Sequence, residues 1–170
     1  MRCGILILAN TKGAFGHYII DKVKIHDVYY PDKGFTRGKE EVKTANGQQP
    51  YGWGIRVTST GPENRIENVK ISDCVIENVG HTGIKFTAQK YNGSHPIKGI
   101  VVFNNSVLKS GGPGIQMSGL ADGHFYENKV DQSGSTSDTR KWGRGSGLWT
   151  WGSEDVLIER NRFTNANGPS

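Results

Sequence analysis

Cysteine, proline and long apolar runs are scarce in this chain of 170 residues. The only two cysteines, Cys3 and Cys74, have no metal-ligand spacing, which argues against a zinc site and a disulfide framework. The apolar run at 5–9 is too short for a signal-peptide core or a membrane span. No window of about 11 residues has a helical apolar period. We therefore expect no metal or other cofactor, no membrane partner and no long helices.

Glycine is abundant, with 24 residues, and together with many Asn, Val and Ile residues it favours short strands joined by tight turns. The length suits one continuous core, so we interpret 1–170 as a single domain. The 21 Lys and Arg against 16 Asp and Glu give a net charge of +5, which suits an anionic partner. Acidic polysaccharide is favoured over nucleic acid, because no nucleic-acid-binding motif accompanies the charge.

One short segment recurs along the chain as a glycine followed by alternating apolar residues. The glycine stands at positions 4, 54, 83, 114 and 147. A second alternating segment follows each copy, at Val23/Ile25, Val69/Ile71, Ile100/Val102, Gly123/Phe125 and Val156/Ile158. A third apolar position comes next, at Tyr30, Ile76, Val107, Val130 and Phe163. Strands in this order can stack in parallel on the same strands of the next repeat, which predicts an all-β parallel β-helix of about five coils.

A polar column supports this alignment of the repeats. Five residues after the second segment begins, the sequence has Val28, Cys74, Asn105, Asn128 and Asn161. Stacked asparagines can form a side-chain amide ladder that satisfies buried polar groups at a turn. We therefore predict an asparagine ladder, and a bend at each repeated glycine that a Cβ would obstruct.

The pattern G-I-x-h followed by h-x-h-x-x-N-x-h, where h is apolar, resembles the repeat of the pectate-lyase-like superfamily over nearly the whole chain. The resemblance implies a right-handed β-helix, a carbohydrate-active protein and a secreted or periplasmic location. That superfamily includes lyases, glycoside hydrolases, epimerases, esterases and phage tailspikes, so the resemblance does not specify the reaction. No polar caps are evident at the two ends, which suggests either a segment of a larger bacterial enzyme or self-association through uncapped coils.

The most site-like surface lies on the outward side of the first strands. Alternation places one outward row at Leu6, Arg56, Lys85, Gln116 and Trp149. A second outward row follows at Leu8, Thr58, Thr87, Ser118 and Trp151. Two long inserts, 29–51 and 131–145, leave the third strand on the same side and carry many basic residues. A groove with basic walls and a tryptophan floor would suit an acidic sugar chain.

β-Elimination on a uronic acid requires a base for the C5 proton and a cation for the carboxylate. On this hypothesis Lys85 is the base, Arg56 binds the carboxylate, and His81 or Tyr51 donates a proton. The substrate-binding candidates are Gln116, Trp149, Trp151, Trp142, Arg144 and Trp53. No acidic cluster suited to calcium is evident, so a calcium-assisted reaction is not predicted.

Two alternatives remain open. Hydrolysis needs a pair of carboxylates, for which Asp122 and Glu154, after the first strands of adjacent coils, are the candidates. The other alternative is a β-helix segment that binds a glycan without catalysis. The sequence therefore favours a polysaccharide lyase, with a glycoside hydrolase or a binding segment as the competing interpretations.

Overall fold

The computed structural model describes residues 2–29, 52–134 and 145–167, which contain fifteen β-strands in five coils of three. The first two coils comprise β1 (Arg2–Ala9), β2 (Gly13–Asp21), β3 (Lys24–Val28), β4 (Gly52–Ser59), β5 (Asn64–Ser72) and β6 (Val75–Val79). The next two comprise β7 (Ile84–Ala88), β8 (Ile97–Phe103), β9 (Ser106–Ser110), β10 (Ile115–Ser118), β11 (Leu120–Tyr126) and β12 (Lys129–Asp131). The fifth comprises β13 (Leu148–Trp151), β14 (Glu154–Glu159) and β15 (Arg162–Thr164).

Corresponding strands of successive coils form three parallel sheets of five strands each. The first sheet has the order β1-β4-β7-β10-β13, the second β2-β5-β8-β11-β14 and the third β3-β6-β9-β12-β15. This topology confirms the predicted all-β parallel β-helix and its five coils. Among the described residues, no helix is long and apolar enough to span a membrane. Most of the two predicted inserts, at 30–51 and 135–144, lies outside the described residues.

The core runs along the axis of the stack and is filled by one face of each strand. In the first sheet the inward side chains are those at positions 55 and 57 and their equivalents, as the alternation predicts. The repeated glycines border this core and make room for the third sheet. A Cβ on Gly83 would lie 2.5 Å from Val107 Cγ1 and 2.8 Å from the Gly114 carbonyl oxygen. The predicted steric reason for the glycines is therefore confirmed.

The asparagine ladder links the second to fifth coils, with an asparagine in each of the last three. Asn105 Nδ2 donates to Asn128 Oδ1 at 2.9 Å, and Asn128 Nδ2 donates to Asn161 Oδ1 at 2.9 Å. Cys74 stands at the end of the ladder, where its backbone N–H donates to Asn105 Oδ1 at 3.0 Å. Each amide therefore links two coils, as predicted from the sequence.

The predicted alignment of the first coil is wrong by five residues. Tyr18 pairs with Val69 and Ile20 with Ile71, so these two, and not Val23 and Ile25, belong to the second sheet. Ile25 pairs with Ile76 in the third sheet, the place predicted for Tyr30, which lies outside the described residues. Lys24 pairs with Val75, so the residues just before them, Val23 and Cys74, lie opposite each other. The ladder position of the first coil is therefore Val23 and not Val28. Because Val23 carries no amide, the first coil lacks the feature that marks this turn elsewhere.

Candidate functional site

The two outward rows of the first sheet have the predicted register. Leu6 pairs with Arg56, Arg56 with Lys85, and Gln116 with both Lys85 and Trp149. In the second row Thr58 pairs with Leu8 and with Thr87, and Ser118 pairs with Trp151. The structure therefore brings the predicted cations onto neighbouring rungs that lead to the two tryptophans.

Burial separates these rows into two regions. Arg56 and Lys85 are 0% exposed and Gln116 is 6% exposed. We call these three residues the buried polar row. They do not form the open floor of a groove. These three side chains are enclosed in this structure, and their contact with a substrate stays a prediction. Alternation identified the outward side correctly, but it carries no information about what covers a sheet.

Aromatic groups surround the first cation of the buried polar row. The Arg56 guanidinium carbon lies 4.2 Å from the centre of the Trp53 ring, within the range of a cation–π contact. The Trp53 and His81 ring centres are 5.6 Å apart, and His81 Nδ1 lies 2.5 Å from Thr82 Oγ1. Burial lowers the pKa of Arg56 to about 10, because desolvation disfavours its charged form. Trp53, His81 and Arg56 are thus part of one enclosed cluster.

The tryptophans at the fifth coil are accessible. Trp151 is 54% exposed and Trp149 is partly exposed, which confirms that an aromatic surface lies at the end of the two rows. The Trp151 ring meets the Tyr91 ring edge to face, with centres 5.2 Å apart. Such a contact fixes a ring plane while leaving one face available for a sugar.

Tyr91 belongs to the turn between β7 and β8, which extends over the next two coils. Its ring lies directly over Gly119 and Gly152, which both have positive φ. A Cβ on either glycine would lie 2.9 Å from a carbon of the ring. His95 comes from the same turn. Its Nδ1 lies 2.9 Å from Glu154 Oε1, and its Nε2 lies 3.2 Å from the Tyr91 hydroxyl and 3.0 Å from the Gly152 carbonyl oxygen.

These contacts connect Tyr91, His95, Trp151 and Glu154, which we call the Tyr91 cluster. Its imidazole is sheltered, with a side-chain exposure of 8%, whereas the Glu154 side chain is 57% exposed. The cluster therefore has a solvent-facing carboxylate at one end and an exposed indole at the other. Trp151 and Glu154 could be predicted from the sequence as candidates, whereas Tyr91 and His95 could not, because both lie in a turn outside the repeat. The only signal was the aromatic content of that turn.

The two carboxylates suggested for hydrolysis are not opposite each other. Ala121 pairs with Glu154 and Gly123 with Val156, so Asp122 aligns with Asp155. Both candidates belong to strands of the second sheet and not to the outward rows of the first. Within 2–29, 52–134 and 145–167, no group of three or more His, Cys, Asp and Glu side chains could hold a metal ion. Tyr51, Trp142 and Arg144 lie outside the described residues.

The comparisons with known proteins address the fold. A family model described as right handed beta helix region matches residues 53–170. No curated protein and no solved structure matches the chain. The matched range covers the second to fifth coils, in which the glycine column, the ladder and the parallel sheets all follow one register. The chain therefore belongs to the right-handed β-helix family.

Proposed function

We propose that the chain acts on an acidic polysaccharide and cleaves it by β-elimination. The observation that carries this proposal is the exposed Trp151 at the end of an outward surface whose other rungs hold Arg56 and Lys85. An indole face can stack on the apolar face of a pyranose ring. The net charge of +5 supports an anionic substrate, since attraction of this kind raises association rates.

The exposed indole also indicates where a sugar would bind. Large exposed aromatic side chains on a soluble surface are a mark of ligand or partner sites. The buried polar row is enclosed, so contact with a polymer in this conformation is possible at the fifth coil and not at Arg56 or Lys85. On this proposal the tryptophans of the fifth coil hold the sugar.

The test is the ultraviolet absorbance of the unsaturated product, with the protein incubated with polygalacturonate, alginate, hyaluronan or chondroitin sulfate. We expect absorbance to rise with at least one polymer. Trp151→Ala should raise KM about tenfold, the size of one good aromatic contact. Leu157→Ala is the matched control, because Leu157 is 53% exposed on the second sheet of the same coil.

Two results would contradict the proposal. New reducing ends without ultraviolet absorbance would indicate hydrolysis instead of elimination. Binding without either product would indicate a glycan-binding β-helix, and the salt dependence of that binding would show whether charge contributes to it.

A further inference from the structure

We propose that Tyr91, His95 and Glu154 form the proton-transfer site of this protein, with the Tyr91 oxygen as the atom that meets the sugar. This inference rests on the proposed function, because it assigns the base and acid of the elimination. It also replaces the sequence-based assignment of Lys85, which is wholly buried. Tyr91 is the titratable side chain packed against the exposed indole.

The first argument is the continuity of the hydrogen-bonded chain. Glu154 Oε1 lies 2.9 Å from His95 Nδ1, and His95 Nε2 lies 3.2 Å from the Tyr91 hydroxyl. A carboxylate on Nδ1 fixes the imidazole ring and directs Nε2 at the phenol. The chain begins at an exposed carboxylate and ends beside Trp151, so a proton can pass between solvent and a bound sugar.

The second argument is that Nε2 has a suitable neighbour in either protonation state. When Nε2 carries no proton, it can accept the hydrogen of the Tyr91 hydroxyl at 3.2 Å. When it is protonated, it can donate to the Gly152 carbonyl oxygen at 3.0 Å. Nε2 therefore has a hydrogen-bond partner in both protonation states, as a sheltered polar atom requires.

The third argument is the fixed position of the phenol. The ring lies over Gly119 and Gly152, where side chains with a Cβ would collide with it. Its ring centre lies 5.2 Å from that of Trp151 at an interplanar angle of 66°, so the phenol is held next to the indole on which we propose that a pyranose stacks. Acid and base groups must stand within hydrogen-bond reach of the atoms they serve, and a preorganised ring meets this requirement.

The proton transfers of the elimination can be written with Tyr91 and His95. His95 Nε2 takes the proton of the Tyr91 hydroxyl, which leaves a phenolate. The phenolate oxygen takes the C5 proton of the uronic acid, the C5–H electron pair forms the C4=C5 double bond, and the C4–O bond breaks with its pair on the leaving oxygen. Tyr91 then gives the same proton to that oxygen. His95 then returns its proton to the phenolate, so the net change is the transfer of one proton from C5 to the leaving group and the protein returns to its starting state.

A second His, Tyr and Glu group in the chain provides a matched control. His124 Nε2 lies 3.0 Å from Glu159 Oε1, and the His124 and Tyr126 ring centres are 4.3 Å apart. Tyr126 stacks on Phe103 with an interplanar angle of 3°. This group is on the second sheet, away from the tryptophans, so its variants report the effect of losing a hydroxyl or a carboxylate without the proposed chemistry.

The experiment measures kcat and KM of the intact chain and its variants on each polymer named above, by ultraviolet absorbance. Tyr91→Phe keeps the ring over the two glycines, and we expect it to lower kcat by about 100-fold or more with little change in KM. Tyr126→Phe should behave like the unaltered protein. Glu154→Gln should change the pH profile of kcat, because Glu154 acts through His95, whereas Glu159→Gln should leave that profile as it is.

The outcomes distinguish failure of the proton-transfer site from failure of the proposed function. If the unaltered protein cleaves a polymer and Tyr91→Phe is as active as Tyr126→Phe, the proton-transfer site is overturned while the proposed function stands. If Lys85→Ala is inactive in that case, the reaction belongs to the buried polar row. If the unaltered protein cleaves none of the polymers, the proposed function fails and the proton-transfer site fails with it.

Discussion

Cys74 occupies a ladder position that asparagine fills in the next three coils. Its sulfur lies 3.7 Å from the Ile20 carbonyl oxygen and 3.1 Å from that of Ser72. The amide of Asn105 donates to the carbonyl oxygens of Ile71 and Phe103, one rung further along. The thiol is a weaker donor than an amide, so the ladder ends here with less hydrogen bonding than it has between Asn105 and Asn161.

We predict that Cys74→Asn stabilises the protein by about 1 kcal/mol. The new amide would have the Ile20 and Ser72 carbonyl oxygens as acceptors, and its oxygen would face the backbone N–H of Val23. Urea unfolding monitored by circular dichroism measures the change. Cys74→Ala, which removes the thiol and adds no amide, is the control and should destabilise. A Cys74→Asn variant no more stable than Cys74→Ala would show that the ladder does not extend to the first coil.

The ladder also shows how far single residues could be predicted from the sequence. Asn105, Asn128 and Asn161 identified their turns correctly, because each amide must satisfy backbone groups on two coils. The first coil was misaligned because Val23 carries no polar group to mark the position. From the pattern of apolar residues alone, an apolar residue at a turn cannot be distinguished from a strand residue.

Strands of different sheets meet at the glycine column. Gly83 lies against Val107 of β9, and a Cβ there would also approach the Gly114 carbonyl oxygen. We predict that Gly83→Ala destabilises the protein by about 1–3 kcal/mol through overpacking. Val107→Ala should partly restore stability, because it removes two of the three nearest atoms, although the carbonyl contact remains.

A double-mutant cycle by urea unfolding tests this contact. The double variant should be less destabilised than the sum of the two single variants, as expected for residues in direct contact. Gly61→Ala is the control, since the nearest atom to a Cβ there is 3.7 Å away. Strict additivity at Gly83 and Val107 would contradict the proposed packing.

Hydrogen bonds from the last residue of β15 and from the residue after it stabilise a carboxylate at the end of β12. The Asn165 amide and the Thr164 hydroxyl each donate to Asp131 Oδ1 at 2.8 Å, and they lower the pKa of Asp131 below its ordinary 3.8. Because the pKa is lower in the folded state, the ionised carboxylate stabilises the folded protein. This stabilisation is complete at a pH above the unfolded-state pKa and is lost as the pH falls through the folded-state pKa. The contact between the fourth and fifth coils should therefore weaken below about pH 4.

We predict that Asp131→Asn makes the stability of the protein less dependent on pH between about pH 4 and pH 2. Thr164→Val removes one donor, so its acid profile should lie between those of the unaltered protein and Asp131→Asn. Unfolding midpoints in urea across this pH range measure the effect. A steeper acid loss in Asp131→Asn than in the unaltered protein would contradict the assignment.

Considered as a whole, the described strands form a stack in which each coil pairs its strands with those of the adjacent coils, while the proposed functional surface spans several coils. The sequence predicted the coils and the register of Arg56, Lys85 and Trp149, because period-two alternation and a fixed repeat determine both. The burial of Arg56 and Lys85 could not be predicted, since a repeat describes the strands and not what lies over them.

The Tyr91 cluster also could not be predicted from the repeat. Tyr91 and His95 stand in a turn of the third coil, yet they contact Trp151, Gly152 and Glu154 of the fifth. Nothing in the spacing of the sequence shows that a turn extends across two coils. The site is therefore a property of the stack, formed when the coils assemble.

The central proposal is that an acidic sugar chain binds and reacts at the Tyr91 cluster. A crystal structure of Tyr91→Phe with a galacturonate oligosaccharide tests this claim most directly, because loss of the hydroxyl should leave the substrate uncleaved. We predict a pyranose ring stacked on Trp151, with a glycosidic oxygen within about 3–4 Å of the para carbon of the ring at position 91. An oligosaccharide bound against Arg56 and Lys85, or on another sheet with Trp151 uncovered, would contradict the account.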